Sequence, residues 1–188
     1  NAITALKITG PLNSNDIAAI KGLSQLTILD LENADLEEFP SGIFSDERKL
    51  LISIIFPKTL KRIGNQAFSG RSDLKGNLVI PSSVTSIGSS AFYGCSSFRG
   101  ELVLPSGLVS IESAIFYGCS GFTGKLNIPS SVTSIRDLAF SNCSGFTGDL
   151  KMPLGVTSIG SSAFQGCSGF TGMLGISPNV TSIGNGAF

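Results

Sequence analysis

Apolar residues recur along this chain at a fixed interval of 24. Phe68, Phe92, Phe116, Phe140, Phe164 and Phe188 fall on that step, and so do Ile63, Ile87, Ile111, Ile135, Ile159 and Ile183. Pro57, Pro81, Pro105, Pro129 and Pro153 keep the same interval, while the last proline slips by one position to Pro178. An interval of this size marks a solenoid, a propeller or an array of stacked units. A unit this short cannot hold two packed helices; it suits a coil with one or two short strands.

Within a unit, Leu126 and Ile128 alternate with Lys125 and Asn127, which predicts a strand with one buried face. Pro129 ends it, because proline offers no N–H to a ladder. Val132 and Ile135 form a second inward pair on the opposite wall. Ala139 and Phe140 plug the coil from the corner between the walls, on a tight helical turn. Ser144, Gly145 and Gly148 carry the return bend, where glycine permits positive φ. Stacking such coils places like on like. Phe92, Phe116, Phe140 and Phe164 then form one aromatic spine, and Phe98, Phe122, Phe146 and Phe170 another. A single coil cannot bury its own core, so stability comes from the interfaces between neighbours.

The first residues break the pattern. Leu6-Lys7-Ile8 reads as a strand, Asn13-Ser14-Asn15-Asp16 offers a helix N-cap, Ile17, Ala18 and Ile20 follow at helical spacing, and Gly22 stops the helix. Residues 1–25 are therefore expected to cap one end of the core. Residues 26–188 carry the repeats, beginning with Leu26, Leu29 and Leu31 and then Leu36, Phe39, Ile43 and Phe44, so that 1–188 is one domain. The repeat stops mid-unit at Phe188 with no cap, which leads to the expectation of a sticky, uncapped end.

Residues 80–96, Ile-Pro-Ser-Ser-Val-Thr-Ser-Ile-Gly-Ser-Ser-Ala-Phe-Tyr-Gly-Cys-Ser, resemble the repeat of BspA-like leucine-rich-repeat proteins. The resemblance is strong over about residues 50–188 and looser before them. Phe98, Phe122, Phe146 and Phe170 stand where that family often has leucine, and an extra residue near the Thr-Gly step lengthens the unit. The resemblance implies a leucine-rich-repeat solenoid of short parallel strands with irregular turns. It also implies an extracellular or cell-surface bacterial protein, acting in some relatives in adhesion, with no shared catalytic residues.

Composition narrows the chemistry. The 188 residues are 41% hydrophobic and only 14% charged, with net charge +0; this argues against disorder and against a global field that would select nucleic acid or anionic lipid. Histidine is absent, which removes the usual general base at neutral pH and the commonest metal ligand. The longest apolar run, residues 50–56, falls far short of the ~20 residues that span a bilayer. Acidic residues crowd the early coils (Asp30, Glu32, Asp35, Glu37, Glu38, Asp46, Glu47), and basic ones follow (Arg48, Lys49, Lys58, Lys61, Arg62, Arg71, Lys75). The two runs read as solvated, partly self-neutralising faces. Cys95, Cys119, Cys143 and Cys167 hold one rung of the repeat, and Arg71 takes it one coil earlier. A buried thiol ladder is the favoured reading, with disulfides and a metal site as the alternatives. Four thiols in a line cannot wrap a tetrahedral ion.

Candidate binding residues are those that point outward and vary. Glu101, Lys125 and Asp149 share one outward rung, between Asn77 and Met173. Alternating signs on neighbouring strands are mutually favourable. Val79, Val103, Asn127, Lys151 and Gly175 share the next outward rung. Tyr93 and Tyr117 stand on successive coils, and tyrosine brings large contact area at low entropic cost. Together with the resemblance, which implies adhesion to host proteins such as those of the extracellular matrix, these positions lead to the expectation of a protein or glycan ligand, with no nucleic acid, no membrane insertion, no cofactor, no metal and no catalysis. A structural spacer or surface-coat element is the alternative.

Overall fold

A computed structural model describes residues 2–45 and 50–188. Asn1, and the members of the charge runs at 46–49 (Asp46, Glu47, Arg48 and Lys49), lie outside the described residues. Among the described residues the elements run β1 (Ala5–Pro11), α1 (Ser14–Lys21), β2 (Ile28–Asp35), β3 (Glu38–Phe39), β4 (Ser53–Ile55), β5 (Arg62–Ile63), β6 (Gly76–Asn77) and β7 (Ser86–Ile87). They continue as β8 (Phe98–Arg99), β9 (Ser110–Ile111), β10 (Ser134–Ile135), β11 (Leu150–Lys151), β12 (Ser158–Ile159), β13 (Leu174–Gly175) and β14 (Ser182–Ile183).

The opening segment forms for local reasons. Asn13 caps α1 by accepting from the N–H groups of Asn15 at 2.8 Å and Asp16 at 3.2 Å, and Asp16 accepts in return from the Asn13 N–H at 2.9 Å. This reciprocal pair satisfies donors that a helix start otherwise leaves orphaned. Gly22 closes the helix through bonds to the carbonyls of Ala18 and Ala19. Ile17 and Ile20 are buried, whereas Ala18, expected on the same face, is exposed. β1 pairs parallel to β2, and β2 to β4.

Beyond this cap the coils stack in register, but the two walls differ. Along the Thr-Ser-Ile wall, β3, β5 and β7 form one parallel ladder and β9, β10, β12 and β14 another, each step joining residues 24 apart. Thr157 and Thr181 extend it with backbone bonds of 2.9 and 2.8 Å to the carbonyls of Thr133 and Thr157, and their hydroxyls donate to the same two oxygens at 3.2 Å. The opposite wall is sparsely paired. There β6 meets β8, β11 meets β13, and the strand expected over Lys125–Ile128 shrinks to a single bridge, Val103↔Asn127. Leu126 is buried as expected, but Ile128 only half so. A third ladder runs through the corner turn, where Gln66 donates to the Ser89 carbonyl at 2.9 Å and Phe140 to the Ala163 carbonyl at 2.8 Å.

Between the walls the rings stack in register. Equivalent rings at the corner plug lie 5.5 Å apart for Phe68–Phe92, 5.6 Å for Phe92–Phe116 and 5.7 Å for Phe116–Phe140. On the second spine Phe98, Phe122, Phe146 and Phe170 sit 6.0 Å apart. The Thr-Ser-Ile wall is termed the inner wall, and the wall of Glu101 and Lys125, on which fewer strands pair, the outer wall.

The core is the two phenylalanine spines with the isoleucine, leucine and alanine rungs around them. The four thiols run through it. Cys95, Cys119, Cys143 and Cys167 are free, and each donates to the carbonyl of the phenylalanine 27 residues earlier, at 2.9–3.2 Å. One coil before them, the fully buried Arg71 reaches the Phe44 carbonyl in the same register at 3.5 Å, donates to the Leu51 carbonyl at 2.6 Å and pairs with Asp73 at 2.8 Å. The guanidinium therefore covers the thiol's position and ties to the preceding coil at Leu51 as well.

Glycine has two separate uses in the return bend. Gly148 holds φ +78, whereas Gly145 is needed for close approach: a Cβ there would run into the Phe122 and Ser120 carbonyl oxygens. The corner turn also needs a left-handed residue in each coil, and non-glycine residues fill it at Gln66, Ser90, Ala114, Leu138 and Ser162, with φ between 52 and 59. Gly42 and Gly186 hold the same place at the two ends.

Three outcomes follow from this packing. Phe140→Ala, which opens both adjoining interfaces, is expected to cost about 3–5 kcal/mol in denaturant unfolding. Ala114→Gly is expected to raise stability by up to about 1 kcal/mol, because relief of the left-handed strain outweighs the added chain entropy; a loss of stability would contradict the strain. Burial pushes the Cys95 thiol up to about 12 and Cys167 to about 11, with Cys119 and Cys143 well above the ordinary 9.0. Folded thiols thus stay protonated where unfolded ones ionise, so their contribution is intact below about pH 9 and falls as pH climbs through the folded values. Melting temperatures at neutral and alkaline pH should diverge in the wild type and diverge less when the four cysteines are replaced by alanine.

Candidate ligand-binding surfaces

On the outer wall the sequence places Glu101, Val103, Lys125, Asn127 and Lys151 in solvent and Asp149 half in it. Pairing there does not follow the alternating Glu101, Lys125, Asp149 rung that sequence reasoning favours. Instead, the Asn127 side-chain amide donates to Glu101 at 3.2 Å, and Lys151 pairs with Asp149 on its own strand at 3.0 Å. Asp149 also accepts the Met173 N–H at 2.9 Å. That bond, followed by Lys151, holds its carboxyl below the ordinary value, and Lys125 adds a smaller attraction.

Four of the eight nominated residues meet. Lys125, Asn127, Asp149 and Lys151 ring an open depression of about 330 Å³ whose apolar floor includes Leu126, Ile128, Met152 and Pro153. Glu101 and Val103 lie one coil away, outside that lining, and Val103 is 64% exposed. Tyr93 and Tyr117 stand apart on the corner. Their rings stack at 4.6 Å and 4°, closer than the phenylalanine spines, with Tyr93 exposed and Tyr117 half-buried.

The inner wall was passed over by sequence reasoning, which used Val132 and Ile135 only as core. Its outward rows carry Arg62 on Glu38 at 2.7 Å and Arg136 on Glu112 at 3.2 Å. Arg136, Asp137, Ser113, Ser134, Ser158 and Ser182 lie around a second open trough, of about 470 Å³, in which Gly160 and Gly184 also take part. A signal was present in the sequence. The position held by Gly64, Gly88, Gly160 and Gly184 is broken on two successive coils by Glu112 and Arg136, residues of opposite charge.

Among the described residues, no group of three acidic, cysteine or histidine side chains is placed to hold a metal ion, and no helix is long and apolar enough to cross a membrane.

The fold is shared with solved bacterial proteins. The T. pallidum leucine-rich-repeat protein TpLRR matches at 23% identity with a TM-score of 0.70, over 98% of this chain and 74% of that one. A leucine-rich-repeat protein from Bacteroides ovatus matches at 25% identity with a TM-score of 0.63, over 94% of this chain and 51% of that one. The chain thus spans about three quarters of the first and half of the second. No curated protein matches it. The sequence profile described as BspA type leucine rich repeat region (6 copies) matches residues 1–75 and 76–188. Matched in this way from end to end, with the solenoid to correspond, the chain belongs to the BspA-type leucine-rich-repeat family.

Proposed function

We propose that this chain is a non-catalytic binding module of an extracellular or cell-surface protein, and that it engages a protein or glycan ligand through its outer wall. One observation carries the reading. The outward rungs that vary from coil to coil bring Lys125, Asn127, Asp149 and Lys151 together around one depression, while the inward rungs repeat. Solenoids use such continuous walls for recognition, and an apolar floor with a few polar groups at the rim is the usual make-up of a binding site. Tyr93 and Tyr117 form a second contact edge, and Glu101 and Val103 extend the wall by one coil. The absence of histidine and the lack of any paired acid and base among the nominated residues favour binding over catalysis. The family membership supports the surface location.

The test is a binding screen of the purified chain against extracellular-matrix proteins, with Glu101→Lys, Lys125→Glu and Asp149→Lys as a combined charge reversal. Saturable binding weakened at least about tenfold by the reversal, a loss of about 1.4 kcal/mol, is the expected outcome. Binding untouched by it would move the site, with Tyr93→Ala and Tyr117→Ala as the next variants. No saturable binding to any partner would sink the reading in favour of a structural spacer.

A further inference from the structure

We propose that the inner-wall trough between β10, β12 and β14 is a carbohydrate site that takes a neutral, linear oligosaccharide lying along the solenoid axis. The proposal rests on the reading of the chain as a binding module but puts this ligand on the opposite wall.

The argument begins with which polar groups are already occupied. Along this wall the threonine hydroxyls of Thr133, Thr157 and Thr181 donate to backbone carbonyls of the preceding coil at 3.1–3.2 Å, and Ser134 donates to Ser110 at 3.0 Å. The hydroxyls of Ser113, Ser158, Ser161 and Ser182 have no protein partner among the described residues, and all of them line the trough. Arg136 Nε pairs with Glu112 at 3.2 Å and donates to the Ser110 hydroxyl at 3.4 Å, and its Nη groups make no hydrogen bond among the described residues; Asp137 accepts the Ser161 N–H on Oδ1 at 2.7 Å, which leaves Oδ2 unengaged. A cation, a carboxylate and four hydroxyls therefore direct free hydrogen-bonding capacity at one concavity of about 470 Å³.

The chemistry of those groups selects the ligand. The guanidinium is already neutralised by Glu112, so the trough has no surplus positive charge for a phosphate or a nucleic acid backbone. It has no apolar anchor for a protein either, because Ile135 and Ile159, which reach it, are 1% exposed. What remains is a dense set of donors and acceptors, the complement of vicinal hydroxyls. The floor is open because Gly160 and Gly184 cannot carry a Cβ: at Gly160 it would strike the Arg136 and Asp137 backbone, and at Gly184 the Gly160 and Ser161 backbone. Geometry adds a repeat. Strand pairing holds this wall at ~4.8 Å per coil, so Ser134, Ser158 and Ser182 recur at a pitch close to the length of one hexose in an extended chain. The ladder beneath is hydrogen-bonded throughout, so the groups are held in place before the ligand arrives. The trough crosses the paired coils of β10, β12 and β14, so a linear ligand lying along it meets several coils at once.

The test is calorimetric titration of the whole chain with a series of neutral β-linked hexose oligosaccharides of increasing length. Affinity is expected to rise with length until the trough is filled and then level off. Arg136→Gly restores the glycine that neighbouring coils already carry and so keeps the fold; it should weaken binding at least about tenfold. Ser158→Tyr, a substitution that strands accept readily, should block the trough. Leu154→Ser, an exposed change elsewhere, should leave binding as it is. Failure of every oligosaccharide to bind would overturn the proposal, and so would binding unaltered in both Arg136→Gly and Ser158→Tyr. Neither result would touch matrix-protein binding through the outer wall, which is scored separately by the Lys125 and Asp149 reversals.

Discussion

Everything in this molecule depends on the fact that one coil cannot bury its own interior. A 24-residue loop has room for a single layer of inward side chains, and both faces of that layer stay open until another coil closes them. Stability therefore belongs to interfaces, and the sequence repeats because the same interface must form again and again. Identical phenylalanines fall above one another at 5.4–5.7 Å, nearly parallel, and the backbone is tied at the inner wall and at the corner turn. The left-handed residue at each corner is part of the same bargain. The strain at Ala114 or Leu138 is tolerated because the N–H of each donates to a carbonyl of the next coil, while its own carbonyl accepts from the residue three positions on.

This constraint explains why the core was so legible in the sequence. Inward positions cannot drift without damaging two neighbours, so the phenylalanine, isoleucine and alanine rungs announce themselves by interval alone. The cap was legible for a different reason: Asn13, Asp16 and Gly22 carry local helix-boundary chemistry that does not depend on stacking. The relation between the walls was not legible. Alternation over Lys125–Ile128 is a fair strand signal, yet the repeat strand that pairs on more coils is Thr-Ser-Ile. Periodicity in one dimension shows which residues stack, not which backbone groups pair. Which wall is a sheet, and which charges meet, is decided only in three dimensions.

The cysteine rung illustrates how a solenoid absorbs an exception. A thiol fits this rung because it is small, apolar enough to be buried and able to donate one weak bond to the phenylalanine carbonyl. One coil before the thiols the rung carries Arg71 instead, and a buried guanidinium would be costly there without partners. It has them: the Asp73 carboxylate and the Phe44 and Leu51 carbonyls of the earlier coil. The same position thus holds a thiol in four coils and a fully partnered cation in a fifth.

Departures from the repeat are for this reason the informative residues, provided they lie outside the core. An inward departure such as Arg71 must be explained by packing. An outward departure faces no such demand, since a surface ion pair contributes little to stability. Glu112 and Arg136 replace glycine on adjacent coils of the most rigid wall, where Gly160 and Gly184 beside them are held by close backbone contact. The ladder gains little from the exchange, and Arg136 still leaves part of its guanidinium open to solvent. On the outer wall, by contrast, the variable residues largely satisfy one another, Asn127 with Glu101 and Lys151 with Asp149, so a ligand there must compete with contacts already made. The inner trough keeps hydrogen-bonding groups unengaged on a paired wall, and this asymmetry is the reason the second proposed ligand is assigned to it.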